Sequence, residues 1–294
     1  MEASTSPDTQ RLLDSNAAAW ARAGELDTRV RALEAQLAAE RDLSRRLDHD
    51  LQIHVRYLAD ATYHADSLAI WNKAAPFMDD ERFMTAYHRG MDSGHHILRS
   101  PGSTEDIHVE WRVHVLCWAA QHAAQLDGDF VECGVNTGLY SLAVCDYLDF
   151  NALDRDFWLF DTYQGVPLDQ ADPVEREHVQ RVNASHYSDC YELARANFAP
   201  YPRAHLVRGR VPETLSSVEI PKVAYLSIDM NIALPERAAL EHFWPKLLAG
   251  GIVILDDYGG LFRTPQRQTA DDFAASVGAS VLCLPTGQGI LIKP

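Results

Sequence analysis

Apolar positions in the first sixty residues recur at helical spacing. Leu26, Val30, Leu33 and Leu37 follow a 4-3-4 pattern, which lines them up on one stripe of a helix. The same register runs through Glu40 and Ser44 to Leu47, Leu51, His54 and Leu58, so the stripe is apolar at both ends and polar in the middle. No proline or glycine interrupts residues 25–60. A seam this narrow suits another helix better than a broad core, and polar seam positions can fix a register. Residues 1–60 are therefore expected to form an N-terminal helix that self-associates as a coiled coil. The alternative is one amphipathic helix lying against the domain that follows. Residues 61–126 read as a helical cap, interrupted by the loop Arg99-Ser100-Pro101-Gly102-Ser103. The cap ends in a helix over Ile107–Leu126 that carries Val109, Val113, Leu116, Ala120 and Ala123.

From Asp127 the pattern changes to short apolar runs separated by helical stretches. Strands are expected at Phe130–Val135, Phe157–Asp161, His205–Gly209, Val223–Asp229 and Gly251–Asp257, with a helix over Pro235–Leu248. Ser280–Leu284 and Gly289–Lys293 read as a closing hairpin around Pro285-Thr286-Gly287-Gln288. Alternating strands and helices imply an α/β domain over residues 127–294, built on a doubly wound, mainly parallel sheet. The antiparallel C-terminal hairpin narrows this to the Rossmann-like variant of class I methyltransferases. Val166–Ser188 is long, polar and poor in structure signals, and reads as a loop that could serve as a lid.

Charge narrows the partners. Lys and Arg number 26 against 42 Asp and Glu, a net charge of -16. Such an excess argues against nucleic acid, whose binding rests on neutralising phosphates, and against an anionic membrane surface. The five cysteines form no C-x-x-C pair, so buried free thiols in a reducing compartment are expected rather than a disulfide framework. The start, MEASTSPDTQ, lacks a signal-peptide pattern. No apolar run approaches the roughly 20 residues of a membrane span. A cytoplasmic protein is expected.

Ligands of open α/β sheets sit beyond the carboxyl ends of the strands. The first turn there is Glu132-Cys133-Gly134-Val135-Asn136-Thr137-Gly138. Gly134 and Gly138 allow close backbone approach, and Asn136 tolerates positive φ where a third glycine often stands. Asp161 ends the second strand, where a carboxylate can accept from both ribose hydroxyls of a nucleoside cofactor. Position 136 breaks the G-x-G-x-x-G of dinucleotide enzymes. Glu132 suits the positively charged S-adenosylmethionine and would repel a pyrophosphate. Asp229, Asp256 and Asp257 close two strands expected to be neighbours. Three carboxylates there repel one another unless compensated, and all-oxygen ligation suits Mg²⁺. Alternatively, Asp256 and Asp257 merely cap the turn that follows.

At these residues the chain resembles the macrocin O-methyltransferase (TylF-type) family of class I, S-adenosylmethionine-dependent enzymes. The segments are FVECGVNTG, FDTYQGVP, LVRGRVPETL, YLSIDMN and FWPKLLAGGIVILDDYGG, in order within residues 107–294. The resemblance implies Mg²⁺-assisted methylation of a sugar hydroxyl on a glycosylated natural product. It implies Glu132, Gly134 and Gly138 around the methionine end of the cofactor, Asp161 at its ribose, and Gly209 and Arg210 by its adenine; Asn136 and Thr162 are also expected among the cofactor-binding residues. Asp229, Asp256 and Asp257 would be the metal ligands. The family's usual Asp-x-Asp at the fourth strand end is here Asp229-Met230-Asn231, and an amide cannot serve as a general base. His186, beside Tyr187 in the expected lid, is the candidate base, and Asp229 would share the catalytic work through the metal.

The acceptor is thus expected to be a sugar, a glycosylated small molecule or a glycan. Two other classes fit parts of the pattern. One is a methyltransferase-fold scaffold of little activity, assembled through its N-terminal helix and motivated by Asn231. The other is a nicotinamide-dependent oxidoreductase, disfavoured by Glu132 and Asn136.

Overall fold

The computed structural model describes residues 7–96, 99, 103–261 and 263–294. The start of the N-terminal stretch (residues 1–6) and residues 100–102 of the expected loop lie outside the described residues. The chain forms two compact units, Met1–Ala61 and Thr62–Pro294. The first is one helix, α1 (Pro7–Ala59), about 80 Å long at 1.5 Å per residue. The apolar stripe is exposed along it: Leu26, Leu33, Leu47 and Leu51 each keep more than half of their surface. Surface pairs such as Arg31–Asp27 (2.7 Å) and Arg46–Asp42 (2.6 Å), one helical turn apart, give it modest support.

Where helix was expected at the start of the second unit, β1 (Tyr63–Ala65) and β2 (Leu68–Ile70) form an antiparallel hairpin. Asp66 and Ser67 turn it with positive φ at both positions, a two-residue turn of the kind that fits strand twist but written without glycine. Next comes α2 (Glu81–Met91), whose first N–H groups are capped by the Asp80 carboxylate. The expected helix before the sheet is α3 (Glu110–Ala123).

The sheet strands are β3 (Asp129–Cys133), β4 (Phe157–Asp161), β5 (Ala204–Arg208), β6 (Val223–Ile228), β7 (Leu247–Leu255), β8 (Leu282–Cys283) and β9 (Gly289–Ile292). Between them lie α4 (Leu139–Leu148), α5 (Pro173–Ser185), α6 (Tyr191–Phe198), α7 (Ala233–Phe243) and α8 (Thr264–Ser276). The order across the sheet is β5-β4-β3-β6-β7-β9-β8. The first five strands are parallel, and β9 runs antiparallel between β7 and β8. This is the doubly wound sheet with a closing antiparallel hairpin expected from the pattern. Every residue of β6 is buried, as expected of a strand covered on both faces. One core layer joins Phe130, Phe157 and Tyr225 to Leu142 of α4 and Phe198 of α6. The other joins Phe160, Leu226 and Val253 to Phe243 of α7 and Phe273 of α8. The α2 and α3 helices pack on α4 through Phe83, Tyr87, Val113 and Leu139, so residues 62–126 share the unit of the sheet.

Two expectations change here. The loop expected over Val166–Ser188 contains α5, held by a capping box in which Asp172 and Glu175 serve each other's backbone N–H groups. Four cysteines are buried free thiols, but Cys283 on the edge strand β8 is exposed.

Candidate active site

The turn after β3 lies over the carboxyl ends of β4 and β6. Gly134 N donates to Phe160 O at 2.8 Å, and Asp229 N donates to Cys133 O at 2.8 Å. At φ +93° a Cβ on Gly134 would lie 1.9 Å from the Asp229 carbonyl oxygen. Gly138, at φ +98°, opens α4 against the Phe198 ring, which a Cβ would meet at 2.5 Å. Both glycines were expected to make room for a ligand. In the structure both let the protein pack closely against itself, and Gly134 also lines a cavity.

Asp161 ties this turn to the next one. Its Oδ2 accepts from Val135 N (2.6 Å) and Asn136 N (2.7 Å), and its Oδ1 accepts from Tyr163 N (2.6 Å). A carboxylate offers about four acceptor sites, so most of this one's capacity goes to backbone amides. Thr162 Oγ1 donates to Gly165 O at 2.6 Å, and Gly209 N donates to Asp161 O at 2.9 Å. Asn136 Oδ1 accepts from Cys190 Sγ at 3.2 Å, while its buried Nδ2 has no partner.

Glu132 does not take the place expected of it. It lies beneath the turn at 1% exposure, outside the cavity lining. Burial pushes its carboxyl well above the usual range, favouring a neutral acid over a counter-charge for a cation. Being on a central strand covered on both faces, it points into the core.

The three aspartates do line one region, with two arginines among them. Arg112 of α3 places Nη1 2.8 Å from Asp256 Oδ2 and Nε 2.5 Å from Asp66 Oδ2. Gln288 Nε2 donates to Asp256 Oδ1 at 3.0 Å. Arg263 Nη2 lies 3.4 Å from Asp257 Oδ2 and donates to Asn231 Oδ1 at 2.7 Å. Asn231 Nδ2 in turn donates to Asp229 Oδ1 at 3.3 Å. Asp229 has no ion pair among the described residues. Burial first, then the charges of Asp256 and Asp257, hold its carboxyl well above the usual range. The three oxygens do not lie within 4.8 Å of one another; among the described residues, Asp106, His108 and Glu110 do. Those last carboxylates are already taken up by Tyr87, Tyr63 and the His108 ring, which fastens β1 and α2 to the start of α3.

Asp257 is pushed up to about 6, mainly by burial. A raised carboxyl contributes most to stability below its unfolded value, and that contribution is lost as pH rises through about 6. In EDTA, Asp257→Asn is therefore expected to stabilise the protein by about 2 kcal/mol at pH 8. The gain should shrink below pH 6 and vanish near pH 4. Thermal unfolding across this range measures it, and a gain independent of pH would contradict the burial of this carboxyl.

Turn and cluster open onto a single cavity of about 300 Å³. Its walls include Gly134, Asn136, Asp161, Thr162 and Gly209 together with Asp229, Asp256 and Asp257. Gly138 is outside the lining. So is Arg210, whose guanidinium pairs with Asp169 at 2.7 Å. His186 is not brought to the cavity either. It caps the end of α5 with Nδ1 2.6 Å from Ser185 Oγ, and its neighbour Tyr187 faces the cavity instead.

Sequence reasoning missed Asp66, His95, Arg112 and Arg263 of the lining. His95 follows α2, with its N–H on Ser93 Oγ (3.3 Å); Ser93 Oγ lies 3.0 Å from Thr137 Oγ1 of the turn. Burial lowers its imidazole to about 4, and its buried Nδ1 has no partner. No local pattern announces it. Arg112, a charge between the apolar Trp111 and Val113 of α3, was the one signal available.

The sheet order and the cavity at its strand ends define a class I methyltransferase fold. The solved structure of the O-methyltransferase NovP shares this fold at a TM-score of 0.57 and 21% identity, over 69% of this chain and 88% of that one. The family model for macrocin-O-methyltransferase (TylF) matches residues 111–279, and the chain belongs to that family.

Among curated relatives, one is the 8-demethyl-8-(2,3-dimethoxy-alpha-L-rhamnosyl)-tetracenomycin-C 4'-O-methyltransferase of Streptomyces olivaceus. It is 30% identical over 138 residues, 45% of this chain and 53% of the relative. The demethyldecarbamoylnovobiocin O-methyltransferase of Streptomyces niveus is 28% identical over 155 residues, 50% of this chain and 58% of the relative. The chain thus spans about half the length of the curated relatives it matches.

Proposed function

We propose that this protein transfers a methyl group from S-adenosylmethionine to a hydroxyl of a sugar or glycosylated small molecule. The observation that carries this reading is the single cavity shared by the Asp161-anchored turn and the three aspartates. One curated relative is named for methylating a rhamnosyl-bearing tetracenomycin and another for methylating demethyldecarbamoylnovobiocin. When bound, S-adenosylmethionine supplies the methyl group and Mg²⁺ supplies Lewis acidity. Asp161, Thr162, Asn136 and Gly209 are the residues that would hold the cofactor, and the unpartnered Asn136 Nδ2 is a donor waiting for an acceptor. Asp229, Asp256 and Asp257 would hold the metal: with Asp66 beside them the carboxylates outnumber Arg112 and Arg263 by two, and an all-oxygen set of that charge suits a hard cation.

Asn231 cannot take the proton of the acceptor hydroxyl, and His186 lies outside the cavity. His95 is our choice for that role, because it is neutral and its side chain lines the cavity. The proton would pass from the acceptor oxygen to His95 as that oxygen attacks the methyl carbon. The bound cofactor would supply the electrophilic methyl group there, with S-adenosylhomocysteine as the other product.

We also propose that residues 1–60 assemble copies of the chain through the exposed stripe of α1, and that the protein works in the cytoplasm. The acidic charge speaks against nucleic-acid or anionic-membrane partners. Among the described residues no helix is long and apolar enough to cross a membrane.

Calorimetric titration of the cofactor-stripped protein with S-adenosylhomocysteine in magnesium buffer tests the main reading. Micromolar binding is expected. Asp161→Asn should weaken it about 100-fold, or about 2.7 kcal/mol, because an amide cannot replace every acceptor contact. No binding by folded wild-type protein would overturn the proposal. Binding without transfer to any sugar acceptor would favour the scaffold reading that Asn231 motivates.

A further inference from the structure

Charged residues flanking the stripe of α1 distinguish the directions in which two copies can pair. We infer that α1 pairs with α1 of a second copy of this chain as a parallel, in-register two-stranded coil; this rests on the assembly reading above. Along the seam, Leu26, Leu33, Glu40, Leu47 and His54 alternate with Val30, Leu37, Ser44, Leu51 and Leu58. Its leucines and Val30 are 42–63% exposed within one chain, so the stripe is available to a partner.

In a parallel coil, the residue just before each second-set seam position faces the partner residue five places further on. This sets Arg22 against the partner's Asp27 and Arg29 against the partner's Glu34. Symmetry repeats both contacts on the opposite side. The other flanking pairs, Gln36 with the partner's Arg41, Leu43 with the partner's Asp48 and Asp50 with the partner's Val55, bring no like charges together.

The antiparallel arrangement that matches Leu26 to Leu58, Leu33 to Leu51 and Leu37 to Leu47 does worse. It sets Glu34 against the partner's Asp48, twice by symmetry, and Arg41 against the partner's Arg41. The parallel coil has one like-charge contact, Glu40 against the partner's Glu40, and it alone has opposite-charge contacts along its flanks. Among the described residues, Arg22, Arg29 and Glu34 form no ion pair within their own chain. Asp27 is held only by the exposed Arg31, which leaves its carboxylate accessible.

Cross-linking of the full chain tests the direction. In a Cys283→Ser background, which removes the exposed thiol, Leu26→Cys should give a covalent dimer on mild oxidation. Arg29→Glu should raise the dimer dissociation constant at least tenfold, and adding Glu34→Arg should restore it to within threefold. Failure of Leu26→Cys to cross-link, with Leu37→Cys and Leu47→Cys chains linking when mixed, would overturn the parallel direction and leave assembly standing. An unchanged constant for Arg29→Glu would overturn the register. A monomer by sedimentation at tens of micromolar would overturn both the inference and the assembly reading beneath it.

Discussion

Replacing Gly134 with alanine is expected to lower the thermal midpoint by roughly 10 °C or more and to abolish binding of S-adenosylhomocysteine. A side chain at φ +93° is strained by itself, at a cost of about 1–2 kcal/mol. The larger effect is the 1.9 Å approach of the new Cβ to the Asp229 carbonyl oxygen. That oxygen belongs to backbone and cannot rotate aside, so the ends of β3 and β6 must separate. The sum should reach about 3–5 kcal/mol, in the range reserved for strain and overpacking in a core. At about 2–4 °C per kcal/mol for a unit of this size, calorimetry resolves it easily. Gly278 supplies the control, since its φ is +69° but a Cβ there would meet nothing within 4 Å. Gly278→Ala should cost only the conformational part, about 1 kcal/mol. Equal losses for the two variants would mean that the strand ends do not approach as described.

Arg112→Met should be the most damaging single change to the polar side of the cavity. Its guanidinium touches Asp66 and Asp256, and the three side chains keep 20%, 16% and 8% of their surface. At that burial solvent screens little of the interaction. Removing the cation strands two carboxylates beside the already crowded Asp229, and breaking a buried pair in this way costs about 3–5 kcal/mol. Urea unfolding would measure it. Adding Asp256→Asn to Arg112→Met should recover part of the loss, because the stranded charge goes with it. A loss below about 1 kcal/mol would show that the pair behaves as an exposed one.

Much of this architecture was legible in the chain because a buried parallel strand is a short apolar run that little else imitates. The five parallel strands and the closing hairpin fall within a few residues of expectation, and so does the placement of Asp161, Asp229, Asp256 and Asp257 at strand ends. Position at a strand end follows from topology, whereas side-chain direction does not. Glu132 precedes the turn by two residues and, on a strand buried on both faces, points into the core. His186 and Tyr187 are adjacent, and the last turn of α5 decides which one faces the cavity. That helix could have been read from Asp172-Pro173-Val174-Glu175, which combines an N-cap, a proline in the first turn and the matching glutamate. The polar body that follows concealed it. Arg112 and Asp256 are 144 residues apart, and no local pattern joins them.

The hydrogen bonds around Asp161 have a further consequence for how any ligand gains a hold there. Its carboxylate already serves the amides of Val135, Asn136 and Tyr163. One ligand hydroxyl can use the acceptor site that is left, but a second must enter by exchange of partners, in which both turns relax before they close again. Occupancy of that second contact would then be written in the exchange rates of those three amide protons.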